Sequence, residues 1–268
     1  MITVVYGEPG AGKDAFLTKT IHDLYFDSGF EIYDNCVSEI NLLNENRKYK
    51  LTLPDRVPIY TDFEVNLHTG YNEYYNPYLA NGFYIGLENE NVEVLHLAPG
   101  SKLFLTEVQR YYDSRKSNTF PDWVSRYFEM HRHYGIDIYL NLQRLSLLDL
   151  NIRQLAGRFV LIENLEHSYN DVGALVSSKW HCKEFDNYTD VDLFCESHKK
   201  TFETTSYTYT GDIFESFNSF GNFNAFVPND KPRKDFVYLE HNAKLNKYDS
   251  KSKYYDFSMP SEFRKKVC

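Results

Sequence analysis

The sequence predicts an α/β fold, a mainly parallel central sheet flanked by helices, with a β-rich extension toward the C-terminus. Two observations carry this. Apolar runs of strand length alternate with helix-like segments through the first two-thirds of the chain, and such alternation builds parallel sheets through crossover connections. The run Leu103-Phe104-Leu105 also places three large apolar residues side by side after a turn, which fits a strand buried on both faces.

The first element is the strand Ile2-Thr3-Val4-Val5-Tyr6. It enters Gly7-Glu8-Pro9-Gly10-Ala11-Gly12-Lys13-Asp14, and a helix is expected from Lys13 to about Ser28. Strand, loop and helix in that order are the context of a phosphate-binding P-loop. Glycines at three positions let successive backbone N–H groups turn toward phosphate oxygens. The helix start adds its positive end, and Lys13 is placed for the β- and γ-phosphates. Where the motif has a Ser or Thr hydroxyl for Mg²⁺, this chain has Asp14.

A chain of 268 residues holds one large α/β domain, with or without an appendage. Its net charge of −9 argues against a protein that coats nucleic acid over its whole surface. The cysteines at 36, 182, 195 and 268 are scattered, and with no signal peptide a reducing compartment is expected. His181-Cys182 and Cys195-x-x-His198 lack the paired spacing of a zinc site and read as ordinary thiols on hairpin strands. No run reaches the roughly 20 apolar residues of a membrane span.

Along the chain, Phe30 to Tyr33 and Cys36 to Ser38 read as a second strand and its exit. Residues from about 41 to 92 form a polar, tyrosine-rich insertion, with short strands at Pro58-Ile59-Tyr60 and Phe83 to Leu87. Core strands follow at Leu103–Leu105, Ile136–Leu142 and Phe159–Ile162, with a helix from Asp122 to His133 and a short one within Leu145–Leu155. The ATPase-like core is thus assigned to residues 1–178. Residues 179–227 are a β-hairpin extension, with strands at Lys183–Phe185, Val191–Cys195 and Thr201–Tyr209. Residues 228–268 are a polar tail with ten Lys and Arg against six Asp and Glu. It is either solvated, disordered chain or a basic arm for nucleic acid or lipid head groups.

Three positions narrow the chemistry from P-loop proteins at large. Glu107 follows the Leu103–Leu105 strand, where a carboxylate can orient the water that attacks a γ-phosphate. Gln143 ends the next core strand and can bond that water or the phosphate itself. Both suit water activation better than the acceptor binding of a kinase. The strand ends Thr106-Glu107, where an Asp-Glu pair usually holds Mg²⁺. Asp14 and Thr106 therefore exchange the usual carboxylate and hydroxyl around one Mg²⁺, or else the metal site has decayed.

The residues also resemble a known family. Met1-Ile2-Thr3-Val4 running into the P-loop, Leu103 to Arg110, and above all Met130-His131-Arg132-His133-Tyr134-Gly135-Ile136-Asp137-Ile138 followed by Asn141-Leu142-Gln143, resemble the Zot (zonula occludens toxin) domain family. That domain is found also in the gene I assembly protein of filamentous phages. Cys36 to Ile40 and Gly211 to Ser219 are similar to two further segments. The resemblance implies a phage ATPase using ATP and Mg²⁺ in a ring-shaped homo-oligomer. It would act on viral DNA or coat protein in virion assembly, genome packaging or export. It would work in the host bacterial cytoplasm or peripherally at the inner membrane. No counterpart of the membrane segment of the filamentous-phage members is expected here, which leaves either a separate membrane-embedded phage protein as partner or a phage that does not extrude filaments. Arg132 is either an arginine finger acting in trans near the Glu107 edge or a structural contact onto the sheet; Arg110 and Arg115 are further finger candidates. The alternative from another class is a nucleotide-binding scaffold with little hydrolysis.

Overall fold

Ile2–Tyr6 forms β1, and its burial shows why it is central: Ile2, Val4 and Tyr6 pack into one apolar cluster and Val5 into another. Successive strand residues point to opposite faces, so a strand this apolar must be covered on both sides. The computed structural model describes residues 1–27, 29–63, 65, 67, 79–80, 97–110, 112–115, 122–217, 237–242 and 247–252. The elements are β1, α1 (Lys13–Tyr25), α2 (Glu31–Asn44), β2 (Ile59–Thr61), β3 (Leu79–Ala80), β4 (Lys102–Leu105), α3 (Asp122–Met130), β5 (Asp137–Leu142), α4 (Leu150–Leu155), β6 (Arg158–Tyr169), β7 (Leu175–Phe185), α5 (Tyr188–Ser197), β8 (Glu203–Thr210), β9 (Val237–Asn242) and β10 (Lys247–Ser252).

Eight strands form one sheet in the order β3-β2-β4-β5-β1-β6-β7-β8. The pairings from β3 through β6 are parallel, and those of β6 with β7 and β7 with β8 are antiparallel. Helix α1 covers one face through Phe16, Leu17, Ile21 and Leu24. On the other face, Phe128 of α3, Ile152 of α4 and Val191 of α5 meet Val4, Leu105 and Leu140. A mixed α/β architecture with a mostly parallel sheet is what the sequence predicts.

Several elements differ from expectation. Residues 31–44 are a helix, not a strand: Ile32, Cys36, Ile40 and Leu43 recur at helical spacing, and Cys36 and Ile40 are buried. Val191–Cys195 lies inside α5, which begins with a reciprocal cap. Asn187 accepts from the Asp190 N–H at 2.9 Å, and its amide donates to the Asp190 carboxylate at 2.7 Å. The 41–92 insertion supplies two parallel strands, β2 and β3, to the sheet; Phe83–Leu87 lies outside the described residues. The 178/179 boundary falls inside β7, which pairs with β6 on both sides of that point. Within the tail, β9 and β10 pair as an antiparallel hairpin. Among the described residues no helix is long and apolar enough to cross a membrane.

The N-terminal edge of the parallel strands is closed by a polar cluster in which Lys102 and His131 are buried, Asp137 half-buried and Met1 exposed. Lys102 and the Met1 amine both donate to the Asp137 carboxylate, and His131 is buried beside them with Nδ1 against the Phe128 carbonyl. Burial pushes the His131 pKa down to about 4; the Met1 amine and Arg132 push the same way, against the Phe128 carbonyl and Asp137. A depressed histidine keeps the folded state neutral while the unfolded chain takes up a proton below its ordinary pKa of about 6.5. Stability from this group is therefore whole above that value and is lost as pH falls from there toward 4. Between pH 7 and 5 the loss is at most about 2 kcal/mol. Urea unfolding at the two pH values should show a smaller loss for His131→Gln than for the parent; equal losses would remove His131 as the cause.

Candidate nucleotide site

The loop between β1 and α1 takes its shape from glycines that other residues cannot replace. Gly12 has φ 79°, and a Cβ there would stand 2.4 Å from Leu165 Cδ2. A Cβ on Gly7 would meet the Ile162 carbonyl oxygen at 2.7 Å. Both obstacles come from the β6–β7 hairpin, which runs behind the loop; Trp180 Nε1 also donates to the Gly12 carbonyl at 3.1 Å. Glu8, Pro9 and Gly10 are exposed, while Ala11 and Gly12 are half-buried. Ala11 N–H bonds the Glu8 carbonyl at 3.1 Å, and Phe16 N–H bonds that of Gly12 at 2.9 Å, starting α1.

Lys13 Nζ is buried and donates to the carbonyls of Gly7 and Glu8 at 3.0 and 2.9 Å. Burial pushes this ammonium below the ordinary lysine range, while the carboxylates of Glu107 and Asp14 oppose the shift. Burial pushes Asp14 up and the charge of Glu107 adds to that, with Lys13 and the Asn141 amide opposing. At the C-terminal edge of the parallel strands the Glu107 charge thus acts on both Lys13 and Asp14.

Glu107 follows β4 with φ 49°, an uncommon conformation for a residue with a side chain. Its Oε2 accepts from the Gln109 amide and, at 3.5 Å, from the Gln143 amide. The two residues chosen for water activation are therefore neighbours. The following turn is fastened to the loop after β5: Ser114 Oγ donates to the Ser146 carbonyl at 3.1 Å, and Asp149 N–H to that of Tyr112 at 2.9 Å. Arg115 stands exposed on this rim and is held by Asp113, Nη2 to Oδ2 at 2.6 Å. Arg110 closes the turn on Glu107 with an N–H to carbonyl bond of 3.0 Å.

Arg132 is not at this edge. It lies in the turn that leads into β5, with Nη2 3.5 Å from where a Gly157 Cβ would be, and Gly157 donates to the Ile2 carbonyl at the start of β1. A residue just before a parallel strand sits at the opposite edge from one just after it. Arg132 is therefore separated from Glu107 by the length of the sheet. Its neighbours Tyr134 and Gly135 make structural contacts there: Gly100 N–H donates to the Tyr134 carbonyl at 3.1 Å, and Gly135, at φ 63°, packs under Ile40.

Asp14 and Thr106 each have another partner. Asn141 donates its amide to the Asp14 carboxylate. Thr106 is fully buried, and its partner is a residue the sequence reading passed over. Asp62, just after β2, accepts the Thr106 N–H at 3.0 and 2.8 Å and its hydroxyl at 3.1 Å. Burial pushes the Asp62 carboxyl up to about 8; the Thr106 hydrogen bonds hold it down and the Asp14 charge raises it further. A carboxylate directly after the short run Ile59-Tyr60-Thr61 was the only local signal for it.

A strand, P-loop and helix, with a strand-end Glu–Gln pair whose charge reaches the loop, set the context for comparison with known proteins. Residues 91–212 match the family model of zonular occludens toxin (Zot). The Zot match takes in β4 through β8, with Glu107, Arg132 and Gln143, and leaves the P-loop and Asp62 outside it. Among solved structures, the N-terminal domain of zonular occludens toxin from Neisseria meningitidis is 16% identical at TM-score 0.44, over 81% of this chain and 98% of that one. B204, the DNA-packaging ATPase from Sulfolobus Turreted Icosahedral Virus, is 11% identical at TM-score 0.36, over 95% and 98%. The genome packaging NTPase B204 from Sulfolobus turreted icosahedral virus 2, in complex with ATP-gammaS, is 11% identical at TM-score 0.34, over 95% and 97%. No curated protein matches the chain.

Proposed function

We propose that this chain is a phage-encoded P-loop ATPase of the Zot type, using ATP hydrolysis for virion assembly, genome packaging or export. The observation that carries the reading is the bond from the Gln143 amide to Glu107 at the strand ends, beside a P-loop whose Lys13 and Asp14 feel the Glu107 charge. Phosphates would lie on the loop N–H groups and Lys13. Glu107 would orient the attacking water, with Gln143 holding that carboxylate and sensing the γ-phosphate. Asp14 and Thr106 would hold Mg²⁺, which would supply neutralisation of the charge developing on the phosphates. Copies of the chain would form a ring around viral DNA or coat protein in the host cytoplasm or at the inner membrane, with a separate membrane-embedded phage protein. In such a ring Arg115, exposed at the Glu107 edge, is better placed than Arg132 to reach a neighbour's nucleotide.

One observation favours the scaffold reading, in which nucleotide binds and is hydrolysed little. Asp14 is engaged by Asn141 and Thr106 by Asp62, so neither is free of a protein partner. Phosphate release from Mg²⁺-ATP by the purified protein separates the two. Turnover that rises with protein concentration, as a ring requires, is the expected result. Tight ATP binding without phosphate release would establish the scaffold instead.

A further inference from the structure

The ATPase reading leaves two buried polar side chains at the C-terminal edge without a task. Asp62 is only 7% exposed, yet it puts both carboxyl oxygens on Thr106. Holding Thr106 requires an acceptor and nothing more, which an asparagine or serine provides. A buried carboxyl is the costly way to supply one, since its charge must be desolvated. Asn141 is fully buried and directs its amide to Asp14, and among the described residues its Oδ1 has no hydrogen-bond partner. That leaves an acceptor beside a carboxylate, which suits a cation or its bound water.

The local charge points the same way. Among the described residues Asp14 and Glu107 set two carboxyl groups against the ammonium of Lys13, while the buried Asp62 carboxyl, pushed up to about 8, holds a proton at neutral pH that an arriving cation would displace. A nucleotide triphosphate entering without a counterion would add negative charge to a surplus already present. Among the described residues no three His, Cys, Asp or Glu side chains gather closely enough to hold an ion by themselves. Such a cation therefore comes with the phosphates, as Mg²⁺ commonly does, using one or two carboxylates of the protein.

We propose that Asp62 supplies, from the neighbouring strand β2, the metal-side carboxylate that β4 lacks where it ends in Thr106. The inference rests on the nucleotide reading above. Asp62 follows β2 directly and stays in step with β4, its N–H bonding the Phe104 carbonyl at 3.1 Å, which places it beside Thr106. The missing aspartate is thus replaced across the sheet, one strand over. Asp14 then supplements this carboxylate from the P-loop, and Thr106 links Asp62 to Glu107 along the backbone.

The test is calorimetric titration with ATP-γ-S, once with Mg²⁺ and once with EDTA, on the parent and on Asp62→Asn. Mg²⁺ should tighten binding to the parent by about tenfold, the weight of one charge-assisted contact. Asp62→Asn should lose most of that increment while binding in EDTA stays equal or improves. Thermal melting of each variant comes first. Asp62→Ser, which keeps an acceptor without charge, replaces Asp62→Asn if that variant shows no cooperative transition. A full Mg²⁺ increment in the neutral variant overturns the proposal and leaves Asp62 as a clamp on Thr106. A parent that binds equally with and without Mg²⁺ also overturns it, with the nucleotide reading intact. A parent that binds in neither condition removes the nucleotide reading and this inference together.

Discussion

Glu107→Gln is expected to reduce ATP turnover by on the order of 10²-fold or more while nucleotide affinity changes little, the usual loss when a positioned acid–base group is neutralised. The substitution keeps the size of the side chain and leaves acceptor capacity toward Gln109 and Gln143. The backbone at φ 49° makes the same demand on glutamine as on glutamate, so folding is a poor explanation for any loss. Single-turnover phosphate release, set beside ATP-γ-S binding, separates the effects. Turnover equal to that of the parent would reduce Glu107 to a strand-end carboxylate held in an unusual conformation for another reason.

The next largest effect is expected at Lys13. Its ammonium is buried against the Gly7 and Glu8 carbonyls, with Asp14 and Glu107 opposing the depression that burial causes. Contacts from such a charge to phosphate are worth about 1.5–3 kcal/mol, so Lys13→Ala should weaken ATP binding by roughly tenfold or more. The same change removes a cation acting on Asp14 and should also raise that carboxyl further. Calorimetry on both proteins decides the matter: matching affinities would take the β1–α1 loop out of the site. A melting curve guards against the trivial outcome, because the Gly7 and Glu8 carbonyls lose a donor.

What the sequence made legible was local. The P-loop announces itself through glycines and a lysine in consecutive positions, and β4 and β5 through apolar runs, so Glu107 and Gln143 could be placed at strand ends. Asp62 had no such announcement. Its strand is three residues long and sits in a tyrosine-rich insertion, and its meaning comes from a neighbour 44 residues away. The helical period of Ile32, Cys36, Ile40 and Leu43 was present but obscured by short strand-like pairs such as Ile32-Tyr33. The Asn187–Asp190 cap likewise marked α5 in a segment whose Thr, Tyr and Phe content argued for strands. Arg132, left open between a finger and a structural contact, is a different case. Its position before β5, against that of Glu107 after β4, already put the two at opposite edges of any parallel sheet; chain order alone held that information.

The bond from Trp180 to the Gly12 carbonyl, with Leu165 filling the space beside Gly12, has a consequence for how this chain can be cut. The two residues lie about 150 or more positions beyond the loop they support and on opposite strands of one hairpin. A fragment ending at residue 178 would keep Leu165 but lose its partner strand from Lys179 onward, exposing the back of the P-loop to water. Its Gly12 carbonyl would lose a donor, and the packing of Leu165 against that glycine would slacken. The segment that resembles an accessory in linear order is the rear wall of the loop. Attempts to isolate a minimal core should therefore retain the chain at least through Phe185.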